Sequence, residues 1–297
     1  MKFKTTVAQM RLLIDGGMSY VIQLKDGRFI IIDGGETIFN YEQNRDTLWT
    51  YLTEKSIGEK PVVAAWFITH CHMDHIDLAT AFLRDYREKV TVENFAYNFP
   101  LAGEEIADTE RENAWKAVMN LYPTAKQIVL RTGDSFRFSN ASINVLTTAF
   151  DKYPEKVCNQ NQTCAVLKFS FDNGRSFMVL SDSEGDRLIK MLEENSPIYC
   201  DDNKLKSDIL QVAHHGLHCA EEEQYEQVKT LYEKISPSIC FWTISIERFL
   251  IDPWVRSPEK IYNKYLLDTV PWRLHFCYNQ TTVVDIDDWK ITVWDKK

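Results

Sequence analysis

The sequence predicts a mixed α/β fold, on three observations. Short apolar runs that read as strands alternate with segments of helical period along nearly the whole chain. Two pairs of these runs close on turns rich in Asp, Asn and Gly, Lys25-Asp26-Gly27-Arg28 and Asp172-Asn173-Gly174-Arg175, which are strong hairpin signals. Six of the seven histidines fall in two clusters, each where a strand stops. The 297 residues allow one large domain or two small ones, and no linker divides them, so we expect one domain spanning 1–297.

In order, residues 3–9 read as a strand. Met18 to Leu24 and Phe29 to Ile32 form the first hairpin, which ends in Asp33-Gly34-Gly35. Glycines there let the backbone turn sharply or pass close to something, and Asp33 by itself could be a turn residue. Tyr41 to Ile57 is helical, with Leu48, Tyr51 and Leu52 on its apolar side. Val62 to Ile68 is a buried strand and Ile76 to Val90 a helix. Thr91 to Phe99 is a strand, and Ala102 to Leu121 a charged helix ended by Pro123. Gln127 to Arg131, Ser135 to Phe138 and Ser142 to Thr147 are short strands, and Asp151 to Gln162 is a polar loop. Cys164 to Phe171 and Ser176 to Leu180 form the second hairpin, followed by Ser181-Asp182-Ser183. Read alone, Asp182 serves equally well as N-cap of a helix over Glu184 to Glu194. Ser207 to Ala213 is a strand leading into His214-His215-Gly216-Leu217-His218. Glu221 to Ile235 is a helix, Ser238 to Thr243 a strand, and Glu247 to Pro271 is less regular. Three short strands near 273–277, 281–286 and 289–294 end the chain.

Composition bounds the function. Apolar residues at 44% and charged residues at 26% are ordinary for a soluble globular protein. A net charge of −9 disfavours a broad electrostatic grip on nucleic acid, though not a local basic groove. Seven scattered cysteines suit a reducing, cytoplasmic setting better than a disulfide framework. No run approaches the ~20 apolar residues of a membrane span, and Met1 to Met10 has no apolar core of a signal peptide. Oligomeric state is left open.

The stretch Thr69-His70-Cys71-His72-Met73-Asp74-His75 carries the chemistry. His70 and His72, two apart in an extended segment, project to one side. Asp74 and His75 follow where the chain turns and face the same space from another angle. Neutral imidazoles with a carboxylate suit a borderline divalent cation such as zinc. A third imidazole beside the aspartate is one ligand too many for a single open site on one loop. It suits two cations roughly 3.5–4 Å apart with water between them.

The pattern His70-x-His72-x-Asp74-His75 resembles that of the metallo-β-lactamase superfamily. The resemblance implies a four-layer αββα sandwich with the site at one edge. It also implies Asp33 beneath the metal loop, Asp182 as a carboxylate shared by both cations, and His215 closing the second site. His214 would lie behind the ligands or face substrate, and between these two neighbours the assignment stays open. The first cation would then have His70, His72 and Asp182, and the second Asp74, His75, Asp182 and His215. Asp74 would also hold the proton of the attacking water.

Within the superfamily, the chain is most similar to the hydrolase domain of the ComEC competence proteins and their soluble relatives. The carrying residues are Asn161-Gln162-Thr163-Cys164-Ala165-Val166-Leu167-Lys168-Phe169, Leu180-Ser181-Asp182 and His214-His215-Gly216. Cys164 stands where that branch has serine, Ser181 where it has glycine, and Leu217 where it has serine. Many superfamily enzymes also place a histidine between the two clusters, and this chain has none between His75 and His214. Thr163 or Cys164 lies where that ligand would be. A Cys164 thiolate would favour zinc, a hydroxyl or water would leave room for manganese or magnesium, and a buried strand cysteine is the plainer reading.

The resemblance therefore implies a hydrolase with two divalent cations, zinc foremost and manganese next, acting on a small-molecule or nucleotide-like phosphodiester. Arg248, Arg256 or Arg273 could contact a phosphate or be simply solvated. The alternatives are a lactone, thioester or β-lactam hydrolase, and a non-catalytic metal-stabilised binding or sensor protein. Redox use of a di-iron site is disfavoured, since no flavin-binding domain follows.

Overall fold

The computed structural model describes residues 3–13, 16–99, 108–148, 159–195, 204–251, 260–270, 272–278 and 280–295. Its strands are β1 (Thr6–Gln9), β2 (Ser19–Gln23), β3 (Phe29–Asp33), β4 (Val62–Ile68), β5 (Thr91–Val92), β6 (Asn94–Tyr97), β7 (Lys126–Val129), β8 (Ser135–Phe138), β9 (Ala141–Thr147), β10 (Val166–Phe171), β11 (Ser176–Val179), β12 (Ile209–Gln211), β13 (Ile239–Trp242), β14 (Trp272–Phe276), β15 (Thr281–Asp285) and β16 (Lys290–Trp294). Its α-helices are α1 (Tyr41–Lys55), α2 (Met73–Asp85), α3 (Thr109–Met119), α4 (Gly185–Asn195), α5 (Tyr225–Ile235), α6 (Ile246–Ile251) and α7 (Ile261–Thr269).

The strands form two sheets. One is ordered β16-β15-β1-β2-β3-β4-β6-β7, with β5 also on β4; the other is β14-β13-β12-β11-β10-β9-β8. Each sheet is antiparallel on one side and parallel on the other. In the first, β2 pairs antiparallel with β3, while β3, β4, β6 and β7 run parallel. In the second, β9, β10 and β11 pair antiparallel, while β11, β12, β13 and β14 run parallel.

Three apolar clusters show the four layers. One joins the facing sides of the sheets, with Tyr20, Ile30 and Phe67 from the first against Phe169, Phe177 and Phe241 from the second. Another joins the outer side of the first sheet to α1, α2 and α3 through Trp66, Leu52, Phe82 and Trp115. The third joins the outer side of the second sheet to α4, α5 and α7 through Met178, Leu188, Leu231 and Tyr262. Strands covered on both sides need apolar residues at successive positions, and the sequence Val-Val-Ala-Ala-Trp-Phe-Ile of β4 meets that need. Each such large side chain removed from water contributes about 1.5–3 kcal/mol. This is the αββα sandwich the resemblance implied.

The differences from expectation lie at element ends. Helix α2 begins at Met73 rather than Ile76, so Asp74 and His75 stand in its first turn. Its N-cap is His72, with extended dihedrals and no side-chain cap bond. The strand expected to reach Ala213 stops at Gln211, and Ala213–Gly216 form a tight turn kinked by left-handed dihedrals at His214 and His215. Gln160–Thr163 form a 3₁₀ turn inside the expected polar loop, most of which falls outside the described residues. The segment read as irregular after Glu247 contains α6 and α7. Among the last three strands, β14 joins the second sheet while β15 and β16 return to the first.

Candidate metal centre

The site forms where the carboxyl ends of parallel strands meet. Asp33 ends β3, Thr69 and His70 follow β4, Ser181 and Asp182 follow β11, His214 and His215 follow β12, and Thr243 follows β13. Such ends open into a crevice because the chain leaves each strand there for the outer layer. Backbone bonds tie the two halves: Ala165 N donates to Thr69 O at 2.9 Å, and Gly17 N to Thr243 O at 3.4 Å. Gly34 lets α2 dock on the end of β3. A Cβ there would lie 2.6 Å from Ala79 N, and Gly34 N donates to His75 O at 2.7 Å.

Two groups of side chains bring their donor atoms within 4.8 Å of one another: Asp74, His75, Asp182 and His215, and His70, His72 and Asp182. Asp182 belongs to both. His215 Nε2 lies 3.0 Å from Asp74 Oδ2 and 3.2 Å from Asp182 Oδ2, and His75 Nε2 lies 3.3 Å from Asp182 Oδ1. His70 Nε2 lies 2.9 Å from His72 Nδ1 and 3.8 Å from Asp182 Oδ2. His75 Nε2, Asp182 Oδ1 and His215 Nε2 are buried without a hydrogen-bond partner. Buried polar atoms are normally satisfied, so facing nitrogen and carboxylate orphans fit a divalent cation between them.

Polar groups behind the rings set their orientation. Asp33, wholly buried, accepts from Thr69 N and Thr69 Oγ1 at 2.7 Å each and pairs with His75 Nδ1 at 2.8 Å. Thr243 Oγ1 stands 2.6 Å from His215 Nδ1. Both contacts leave the opposite nitrogen facing the cluster. Backbone strain gathers at the same place. Asp33, Ser181, His214 and His215 all have left-handed φ, from 48° to 60°. After them Gly216, at φ 84°, passes so close to the Trp242 ring that a Cβ would come within 2.2 Å.

Burial and charge split the histidines into two kinds. Burial, reinforced by His75, drives His70 below the ordinary imidazole value, and the same causes lower His72. Burial also opposes charge on His75 and His215, but neighbouring carboxylates outweigh it, Asp182 foremost. His75 is raised, and His215 is pushed up to about 9. Burial alone would raise Asp74 and Asp182. Instead the nearby imidazoles hold both well below the usual carboxylate range. Without a cation, the pair His75 and His215 thus carries the protons that balance Asp74 and Asp182.

The other sequence candidates stand further back. His214 turns Nδ1 to His218 O at 2.7 Å, and its Nε2 lies 3.5 Å from Asn161 Nδ2. Thr163 Oγ1 donates to Gln160 O. Cys164 Sγ lies 3.3 Å from Ser181 Oγ, and burial pushes its thiol up to about 12, which favours the plainer strand-cysteine reading. His218 lies at the surface near Glu221, and Arg256 lies outside the described residues. Sequence reasoning missed Thr69, Ser181 and Thr243 as hydroxyls behind the rings. The available signal was only that each sits just after a strand.

No family model and no curated protein matches the sequence. Solved structures do match. The metallo-β-lactamase fold protein YhfI from Bacillus subtilis is 13% identical with a TM-score of 0.53, over 92% of this chain and 96% of that one. Unliganded yeast PDE1 is 12% identical with a TM-score of 0.51, over 92% and 98%. CmlA, a diiron β-hydroxylase from Streptomyces venezuelae, is 11% identical with a TM-score of 0.52, over 93% of this chain and 53% of that one, so this chain spans about half of CmlA. The fold is that of the metallo-β-lactamases. Among the described residues, no helix is long and apolar enough to cross a membrane.

Proposed function

We propose that the chain is a metal-dependent hydrolase with a dinuclear site, a single domain acting on a phosphodiester-type, small-molecule or nucleotide-like substrate. The observation that carries this reading is the pair of donor groups sharing Asp182, with facing nitrogen and oxygen atoms that make no hydrogen bond in a buried place. His70, His72 and Asp182 would hold one cation, and Asp74, His75, Asp182 and His215 the other. Zinc suits the imidazole-rich set best, with manganese next. When bound, such cations supply Lewis acidity: they lower the pKa of water toward 7 and polarise the oxygen under attack.

The chain's own residues do the rest. Asp33 and Thr243 keep His75 and His215 turned inward. Asp74 is the most solvent-open member of its group, with a side chain 24% exposed, so it is placed to take the proton of an attacking water. The resemblance to the ComEC hydrolase domain, through Asn161 to Phe169 and His214-His215-Gly216, supports a phosphodiester over a lactone, thioester or β-lactam.

The test is to load the purified protein with zinc or manganese and assay phosphodiester, lactone, thioester and β-lactam substrates. Phosphodiester turnover that disappears in His72→Ala supports the proposal. Turnover confined to the other substrates refutes the phosphodiester, and metal without any turnover leaves a binding or sensor protein. The likeness to CmlA gives one more outcome: iron content with oxygen-dependent turnover would favour redox chemistry instead.

A further inference from the structure

Ser181 follows β11 with a left-handed backbone, φ 54°, which glycine adopts without strain and other residues do not. The residue is wholly buried and its hydroxyl is engaged. Oγ donates to Thr69 Oγ1 at 2.8 Å and lies 3.4 Å from His70 Nδ1. Thr69 gives its own hydroxyl hydrogen to Asp33 Oδ2 at 2.7 Å. The hydrogen between the two hydroxyls therefore comes from Ser181, whose two lone pairs face the Cys164 thiol at 3.3 Å and His70 Nδ1–H. The opposite nitrogen, His70 Nε2, faces His72 and Asp182. Asp33 orients His75 and Thr243 orients His215. For His70, the partners behind the ring are the hydroxyls of Ser181 and Thr69, the latter 3.3 Å from Nδ1.

We propose that Ser181 is a positioning residue of the metal centre: its hydroxyl holds His70 in the Nδ1–H tautomer and aims the Nε2 lone pair at the first cation. The strained backbone is kept because the glycine that would relax it carries no hydroxyl. This inference rests on the reading of the cluster as a metal centre.

Two variants separate positioning from simple filling of space. Ser181→Gly removes the hydroxyl and relieves the left-handed strain, whereas Ser181→Ala removes the hydroxyl and keeps the strain. Zinc affinity is measured by competition with a chromophoric chelator, heat stability on the metal-free proteins, and the histidine tautomers by 15N NMR. Both variants are expected to weaken the first-site equivalent by the same factor, about 10-fold, even though Ser181→Gly melts higher than Ser181→Ala. The His70 Nδ1–H signal of the wild type should become a tautomer mixture in both. Wild-type affinity in Ser181→Gly, or losses that follow melting temperature, would overturn the proposal, as would an unchanged tautomer. A wild-type chain that takes up no cation would overturn the metal-centre reading itself, and that outcome is read from the wild type alone.

Discussion

Replacing Asp33 with asparagine changes one atom of a buried carboxylate and should disable a histidine it never replaces. Asp33 Oδ1 accepts from Thr69 N, and Oδ2 faces Thr69 Oγ1 and His75 Nδ1, all within 2.7–2.8 Å. In Asp33→Asn the amide oxygen must stay on the Thr69 N side, since the reverse flip sets two N–H donors against each other. The NH2 then meets His75 Nδ1 and can bond only to a lone pair there. The ring hydrogen moves to Nε2, the atom that faces Asp182 Oδ1 at 3.3 Å and that a cation needs. Loss of such a supporting partner weakens metal binding about 10–100-fold, or about 1.4–2.8 kcal/mol. That agrees with the roughly 1.5–3 kcal/mol of one hydrogen bond to a charged group. The assay is zinc competition against a chromophoric chelator, with circular dichroism to verify folding. A folded Asp33→Asn protein with wild-type affinity would refute the reasoning.

Three further outcomes are expected. Cation uptake by the metal-free protein at pH 7 should release about two protons, because His75 and His215 are held protonated by Asp182 and Asp74; calorimetry in buffers of different ionisation heat would show it, and a buffer-independent heat would contradict it. In the metal-free protein, His215 is raised from 6.5 to about 9. Its pairing therefore stabilises fully below pH 6.5 and is lost as pH rises through 9. Denaturant midpoints of chelator-treated protein should accordingly fall between pH 6.5 and 9.5, and a midpoint that rose would refute this. Gly216→Ala should destabilise by about 2–4 kcal/mol, from a left-handed φ and a Cβ driven into the Trp242 ring; a denaturation curve within experimental error of the wild type would show that the turn yields.

Much of the architecture was written in local pattern. The run Val62–Ile68 is a strand with the bounds its apolar residues predict, and the Asp26-Gly27 and Asn173-Gly174 turns close hairpins. These features depend on neighbours in sequence. Less legible were features decided by distant contacts. Helix α2 packs Ala79 against Gly34 at the distant end of β3, and β14 leaves its sequence neighbours to pair with β13. The histidine clusters and Asp182 were visible because metal-binding chemistry restricts residue types. Thr69, Ser181 and Thr243 were not, because a hydroxyl after a strand is common and its role here depends on which ring the fold sets against it.

The most direct test of the centre is cation stoichiometry in Asp182→Ala. Asp182 is the one residue common to both donor groups, so wild-type protein dialysed against zinc and washed should retain two equivalents per chain, and the variant none tightly. Retention of both equivalents by folded Asp182→Ala, or none by the wild type, would contradict a dinuclear site built around this carboxylate.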